Sequence, residues 1–462
     1  MRKRRSLVKA KARNFGPAGM KELMQAFQPW LDIAAWFGKP VRKRLFSPAR
    51  VFWLFLSQVL SPDGSCRETL QKFLAWLALE EGREASPNTA AYCKARAKLP
   101  MKAVERARDE VARRIQQSPL AQVRWHGRHV KVVDGSGLSM PDTPENQRKY
   151  PQSKKRKVGC SFPEMRIAAL FSLATGVLLS YAHASRYVAE RTLFRQLWDG
   201  FEPGDIALAD RGFCGFAEFF FLLQRGVDSV MRLHQRRSVG VRIVKQLGPG
   251  DTLVQWIKMK PCPKWLTKEQ WTAVPDVLDV RHIAFTVDIP GFRSQRITIA
   301  TTLTNHRKFP PSAFAELYRR RWRIELYLRD IKIALGMDIL RCLTPKMVEK
   351  ELAMYVIAYN LIRATMLEAA HAAQRELERI SFKGTCQALR QWAPILAIAQ
   401  PHQLLDLHAA MLAAIARAPI PLRPNRCEPR ARKRRPKNYQ LLTKHRHEFK
   451  EIQHRNRYAK TP

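Results

Sequence analysis

Between His129 and Arg232 the chain follows an order of elements that few folds share. Residues 129–133 form a short β-branched run ending at Asp134, and residues 166–173 and 177–184 read as two strands joined at Thr175-Gly176. Residues 190–198 have helical spacing. Residues 205–209 are a strand ending at Asp210, residues 216–224 are helical, and residues 228–232 make a fifth strand. Three strands, a helix, a strand, a helix and a strand imply a mixed five-stranded α/β sheet. Both aspartates take the same place in it, directly after a short apolar strand. Taken singly, Asp134 is explained as a turn residue before Gly135, and Asp210 as a helix cap or a partner for Arg211.

A second constraint lies downstream. No Pro or Gly falls between Ser312 and Leu335, and Leu317, Ile324, Leu328, Ile331 and Leu335 recur at helical spacing, which predicts one helix. At about 100° per residue, Tyr318, Arg321, Glu325 and Lys332 share an arc of roughly 60° beside that stripe. Arg321 and Glu325, four apart, fit a plain surface ion pair, although Arg before Glu is the weaker order. A glutamate flanked by cations is equally what a metal and phosphate site needs.

The 462 residues suffice for two or three domains. Their 82 Lys and Arg against 39 Asp and Glu leave a net charge of +43, which favours a polyanionic partner, nucleic acid first. A packaging protein is as basic, but 46% hydrophobic residues and eleven Trp belong to a folded chain. The eight Cys include no Cys-x2-Cys pair and read as reduced thiols of an intracellular protein. Met1-Arg-Lys-Arg-Arg5 lacks a following apolar stretch, so no signal peptide is expected. The longest apolar run, residues 167–182, is split by Thr175-Gly176 and suits a hairpin rather than a membrane helix. A cytoplasmic location without membrane association is the expectation.

Tyr-x2-Arg-x3-Glu-x6-Lys, filled here by Tyr318, Arg321, Glu325 and Lys332, resembles the signature of transposases of the insertion-sequence-4 type, members of the Asp-Asp-Glu group. Val133-Asp134-Gly-Ser-Gly-Leu-Ser-Met-Pro-Asp-Thr-Pro-Glu-Asn146 and Ala209-Asp210-Arg-Gly-Phe213 are similar to that family's other two motifs. So are Leu60-Ser-Pro-Asp-Gly-Ser-Cys-Arg67 and Ala91-Tyr-Cys-Lys-Ala-Arg-Ala-Lys-Leu-Pro100. The resemblance runs from about Phe52 to about Arg363, and three motifs in order are specific where one is not.

It implies a ribonuclease-H-like fold, whose first and fourth strands lie side by side and parallel, so that Asp134 and Asp210 meet at one sheet edge. It also implies a DNA transposase in which Asp134, Asp210 and Glu325 are the catalytic, metal-binding carboxylates. Three hard oxygen donors suit Mg2+ or Mn2+, and two such ions are expected. Tyr318, Arg321 and Lys332 are expected on DNA near the element's terminal nucleotides. The implied partners are terminal inverted repeats, a target duplex and a second protomer in the synaptic complex, in a bacterial cytoplasm or nucleoid. The implied route is cut-and-paste transposition through a hairpin. Two other readings use the same fold: a non-catalytic DNA-binding protein derived from a transposase, and a nuclease without strand transfer. Intact Asp134, Asp210 and Glu325 argue against the former.

The chain divides into a basic arm and helical module (residues 1–120), expected by position and charge to bind DNA and equally explained as scaffolding, a catalytic region (121–370) and a helical region with a basic tail (371–462). Within the catalytic region a β insertion is expected at about 233–296, with strands near 241–244, 252–256, 282–287 and 297–302. Ser86 and Pro87 predict the start of an N-terminal helix that exposes Lys94, Arg96 and Lys98. Lys154-Lys-Arg-Lys157 resembles a nuclear-import signal, but such runs are common in solvated loops. Trp256, Trp265 and Trp271 lie among Lys258, Lys260, Lys264 and Lys268. That mixture suits stacking on an extruded base, and a core role explains it as well.

Overall fold

The computed structural model describes residue 27 and residues 30–37, 44–155, 161–234, 240–287 and 295–421. The basic arm at 1–13, the second half of the 154–157 run and the basic tail beyond 421 lie outside the described residues. The N-terminal helices are α1 (Ile33–Phe37), α2 (Pro48–Leu60), α3 (Cys66–Glu80), α4 (Ala90–Lys98) and α5 (Met101–Gln117). The central part comprises β1 (Val130–Ser139), α6 (Pro144–Lys149), β2 (Glu164–Ser172), β3 (Leu178–Ser185), α7 (Glu190–Arg195), β4 (Ile206–Ala209), α8 (Phe216–Gln224) and β5 (Asp228–Arg232). Then follow β6 (Val241–Gly248), β7 (Asp251–Ile257), α9 (Lys268–Thr272), β8 (Val277–Val287) and β9 (Gln295–Thr301). The chain continues with α10 (Pro311–Arg320), α11 (Arg323–Arg329), a π-helical turn at Asp330–Ala334, and α12 (Pro345–Ala372), α13 (Phe382–Ile398) and α14 (Leu404–Arg417).

The strands form one sheet in the order β3-β2-β1-β4-β5-β9-β8-β7-β6. Its first five strands have the ribonuclease-H-like arrangement: β1, β2 and β3 antiparallel in turn, then β4 parallel to β1 and β5 parallel to β4. The long apolar run is the β2–β3 hairpin, turned at Gly176 with φ +69°. Among the described residues no helix is long and apolar enough to cross a membrane. All four strands of the β insertion form. They continue the sheet through β9, which pairs antiparallel with β5, rather than standing apart from it.

Alternation along the strands creates two apolar layers. Val130, Val132, Ile206, Leu208, Val230 and Ile299 share one cluster with Ile324, Leu328, Ile331 and the buried helix α12. Val133, Ala207, Ala209, Met231 and Ala300 face the other way, onto Leu193, Phe194, Phe219 and Leu222 of α7 and α8.

Local expectations are revised in four places. First, β1 does not stop at Asp134, because β2 runs beside it to Glu164 and keeps pairing through Ser139. Second, the predicted helix over 312–335 is broken. Arg321 N and Trp322 N bond to Tyr318 O and Arg319 O, and Ile324 N and Glu325 N to Arg321 O and Trp322 O, all three residues back. That tight turn rotates α11 ahead of a regular helix, so Tyr327 is buried beside Leu328. Third, α4 begins at Ala90, whose N–H bonds Asn88 Oδ1, while Ser86 Oγ accepts from Asn88 N. Fourth, Arg96 lies four residues after buried Tyr92 and turns inward with it, donating to Gln58 Oε1 at 2.9 Å, whereas Lys94 and Lys98 are exposed.

Candidate active site

The parallel register of β1 and β4 ends with Val133 beside Ala209, so the next step sets Asp134 beside Asp210. By alternation both point to the face of Val132 and Leu208, where α11 packs. Adjacent strands lie about 4.8 Å apart, so the two carboxylates are neighbours across the sheet. Ala209 pairs with Met231 in turn, which brings Arg232 alongside Asp210 from β5. Two acids and a cation therefore line one row across three parallel strands.

Asp134 Oδ1 accepts from the Gly135 N–H at 2.8 Å. Burial pushes its pKa up to about 6; the Gly135 bond and Arg321 oppose that rise, and Asp210 and Glu190 add to it. The Tyr318 hydroxyl donates to Asp210 Oδ1 at 3.4 Å, and burial raises the Tyr318 pKa to about 12. Tyr318 is 6% exposed, so its ring packs inside and only its hydroxyl reaches the site.

Glu325 opens α11 on the same side. Partial burial raises its pKa; Arg321 opposes the rise and Asp210 adds to it. Its carboxylate is exposed, 3.8 Å from Arg321 Nη2. Arg321 is itself 8% exposed, its guanidinium 5.5 Å from the centre of the Tyr318 ring, and its Nε has no hydrogen-bond partner among the described residues. Lys332, in the π-helical turn, donates to Ser136 Oγ and Gly137 O at 2.9 Å each, and burial lowers its pKa.

All six residues expected from sequence thus border one region, with Arg321 between the acids. Asp210 adds to the raised pKa of both Asp134 and Glu325, yet among the described residues no three His, Cys, Asp or Glu side chains are grouped closely enough to hold a metal ion. Glu325 is the most exposed of the three and is ion-paired with Arg321. The donor set still suits a hard divalent ion in kind: three carboxylates, two of them with pKa values raised by burial that a cation would relieve.

Sequence reasoning passed over Arg232 and Glu190. Arg232 was legible, since it ends the fifth strand as Asp210 follows the fourth; no motif marked Glu190. Two insertion tryptophans are core residues, Trp256 fully buried and donating to His282 Nε2 at 2.8 Å and Trp271 8% exposed, while partly buried Trp265 packs against that core on Trp198 and under Arg195.

Residues 125–361, just over half of the chain, match the family described as Transposase DDE domain. The chain is 24% identical over 408 residues to the transposase InsG for insertion sequence element IS4 of Escherichia coli (strain K12), covering 87% of this chain and 89% of that protein. Among solved structures it resembles the piggyBac transposase synaptic complex with hairpin DNA, at a TM-score of 0.44 and 10% identity, over 88% of this chain and 86% of that one. The chain belongs to the transposase DDE-domain family as a member of the insertion-sequence-4 type, and it is a DNA transposase, an enzyme of a class that depends on divalent metal ions.

Proposed function

We propose that Asp134, Asp210 and Glu325 are the metal-binding carboxylates of a transposase that cleaves both strands at the ends of its element, through a hairpin, and joins those ends to target DNA. The observation that carries this reading is the parallel register of β1 and β4, which ends at Val133 beside Ala209 and so sets Asp134 next to Asp210, on the face covered by the helix of Glu325. Mg2+ or Mn2+, two ions in all, would be held by these carboxylates, and bound ions would activate the attacking oxygen and offset charge on the leaving one.

The chain's own residues handle the DNA. Arg321 is suited to a phosphate beside the scissile bond, because its buried Nε lacks an acceptor and a buried guanidinium donor costs free energy until it finds one. An ammonium has three donors, of which Lys332 spends two on β1, leaving the third for phosphate. Tyr318 acts by orienting Asp210. The N-terminal helices through residue 120 would bind the terminal inverted repeat, with exposed Lys94 and Lys98 on α4 facing it. Two protomers would pair the two ends.

The test uses the full chain, a duplex carrying the terminal repeat, and a target duplex. Chelated protein should be inactive, Mg2+ or Mn2+ should restore nicking, hairpin formation and joining, and Ca2+ should support end binding alone. Cleavage undiminished in excess chelator would overturn the reading. Cleavage without joining would reduce it to a nuclease.

A further inference from the structure

Asp210 opens the loop between β4 and α8, and that loop contains Gly212 and Gly215. Two turn bonds tie it internally, Phe213 N to Asp210 O at 3.1 Å and Cys214 N to Arg211 O at 3.3 Å, and Phe213 and Cys214 are buried in the core beneath it. A side chain from outside grips the main chain: Arg191, in the first turn of α7, donates from Nε to Gly212 O at 3.1 Å. Behind it stands Glu218, only 3% exposed and bonded to Arg195 at 2.7 and 3.1 Å, with its Oε1 4.0 Å from Arg191 Nε. The loop passes this group in close contact. A Cβ at Gly215 would lie 2.0 Å from Glu218 Oε2 and 3.5 Å from Arg191 Nη1. The preceding residue, Glu190, lies against the other aspartate's strand, since a Cβ at Gly135 would lie 2.5 Å from Glu190 Cδ.

We infer that Arg191 is a positioning residue for Asp210. It fixes the carbonyl two residues beyond the carboxylate and links a loop with two glycines to Glu218, a buried carboxylate itself held by Arg195. Ligand positions must be held to about 0.5 Å for tight binding, and the Arg191 bond secures the exposed glycine that lies between the carboxylate and the buried Phe213 and Cys214. The inference rests on the reading that Asp210 holds metal.

The experiment measures Mn2+ binding to the DNA-free full chain by calorimetry, together with amide exchange over residues 211–215. Arg191→Ala should weaken Mn2+ binding about tenfold, the usual scale for residues that orient a metal ligand, and should speed exchange in the loop. Arg191→Lys, which keeps a charge and a donor, should recover most of both, and the salt dependence of end binding should not move. Unchanged Mn2+ affinity and exchange would overturn the inference. So would a fall of about one unit in the salt slope with Mn2+ affinity intact, which would make Arg191 a phosphate contact. Should Arg191→Ala not fold, Arg191→Gln carries the same comparison. Asp210→Asn in the same assay separates the two levels. If it keeps Mn2+ binding and cleavage, the metal reading itself fails; if it loses both while Arg191→Ala keeps them, only the positioning role fails.

Discussion

Lys332 Nζ lies 2.9 Å from both Gly137 O and Ser136 Oγ, tying the π-helical turn to β1 just past Asp134. Nearby, Ser139 N donates to Asp338 O and Leu340 N to Ser139 O, so the segment that follows the turn is tied to the same strand two residues beyond Gly137. Lys332 therefore positions the helix of Glu325 as well as presenting charge.

Removing it should show both roles. Lys332→Ala should cost about 1 kcal/mol in urea unfolding and flatten the log–log salt dependence of end binding by about one unit. An unchanged slope would confine Lys332 to the tether.

Arg321→Ala should also flatten that slope by about one unit, measured in Ca2+ from low to moderate salt. If Arg321 only holds Glu325, the slope will stay as in wild type and metal affinity will change instead.

Asp134 gives a pH signature in the metal-free protein. Its folded pKa of about 6 exceeds the ordinary 3.8, so the folded state holds the proton more tightly than the unfolded chain. This contribution favours folding below pH 4 and is lost as pH rises through 6. Asp134→Asn should then be more stable than wild type at pH 8, by at most about 2–3 kcal/mol, with the advantage fading toward pH 4. Urea midpoints across that range decide it, and a variant less stable at pH 8 would refute the burial argument. The same variant should not cleave, yet should still bind ends.

Trp256 tests the fate of the insertion aromatics. As a fully buried side chain bonded to His282, its replacement by Ala should cost about 3–5 kcal/mol. Trp256→Phe should keep the fold and leave hairpin yield per folded molecule near wild type; a selective loss of hairpins would restore a base-stacking role.

Much of the site was legible because strand alternation is local. Short apolar runs ending near Asp134 and Asp210 marked both acids, and the same counting reaches Arg232 at the end of β5. The motif around Glu325 added the third acid. The four insertion strands were equally legible from their β-branched and aromatic residues.

What the sequence determined by itself was the order of elements, the side of the sheet each strand residue faces, and the family, because period and spacing are properties of the chain alone. Tertiary structure decided which partners meet. Continued pairing with β2 carried β1 past Asp134 through Gly135 and Gly137, residues that would otherwise end a strand. A three-residue hydrogen-bond turn at Arg321 broke a helix that no Pro or Gly interrupts, and buried a guanidinium that the pattern had left beside the stripe. Arg96 and Trp256 went inward because Gln58 and His282 were there to receive their donors. Periodicity records how much a residue gains from burial; it does not record which distant acceptor makes that burial affordable, and only the folded chain supplies one.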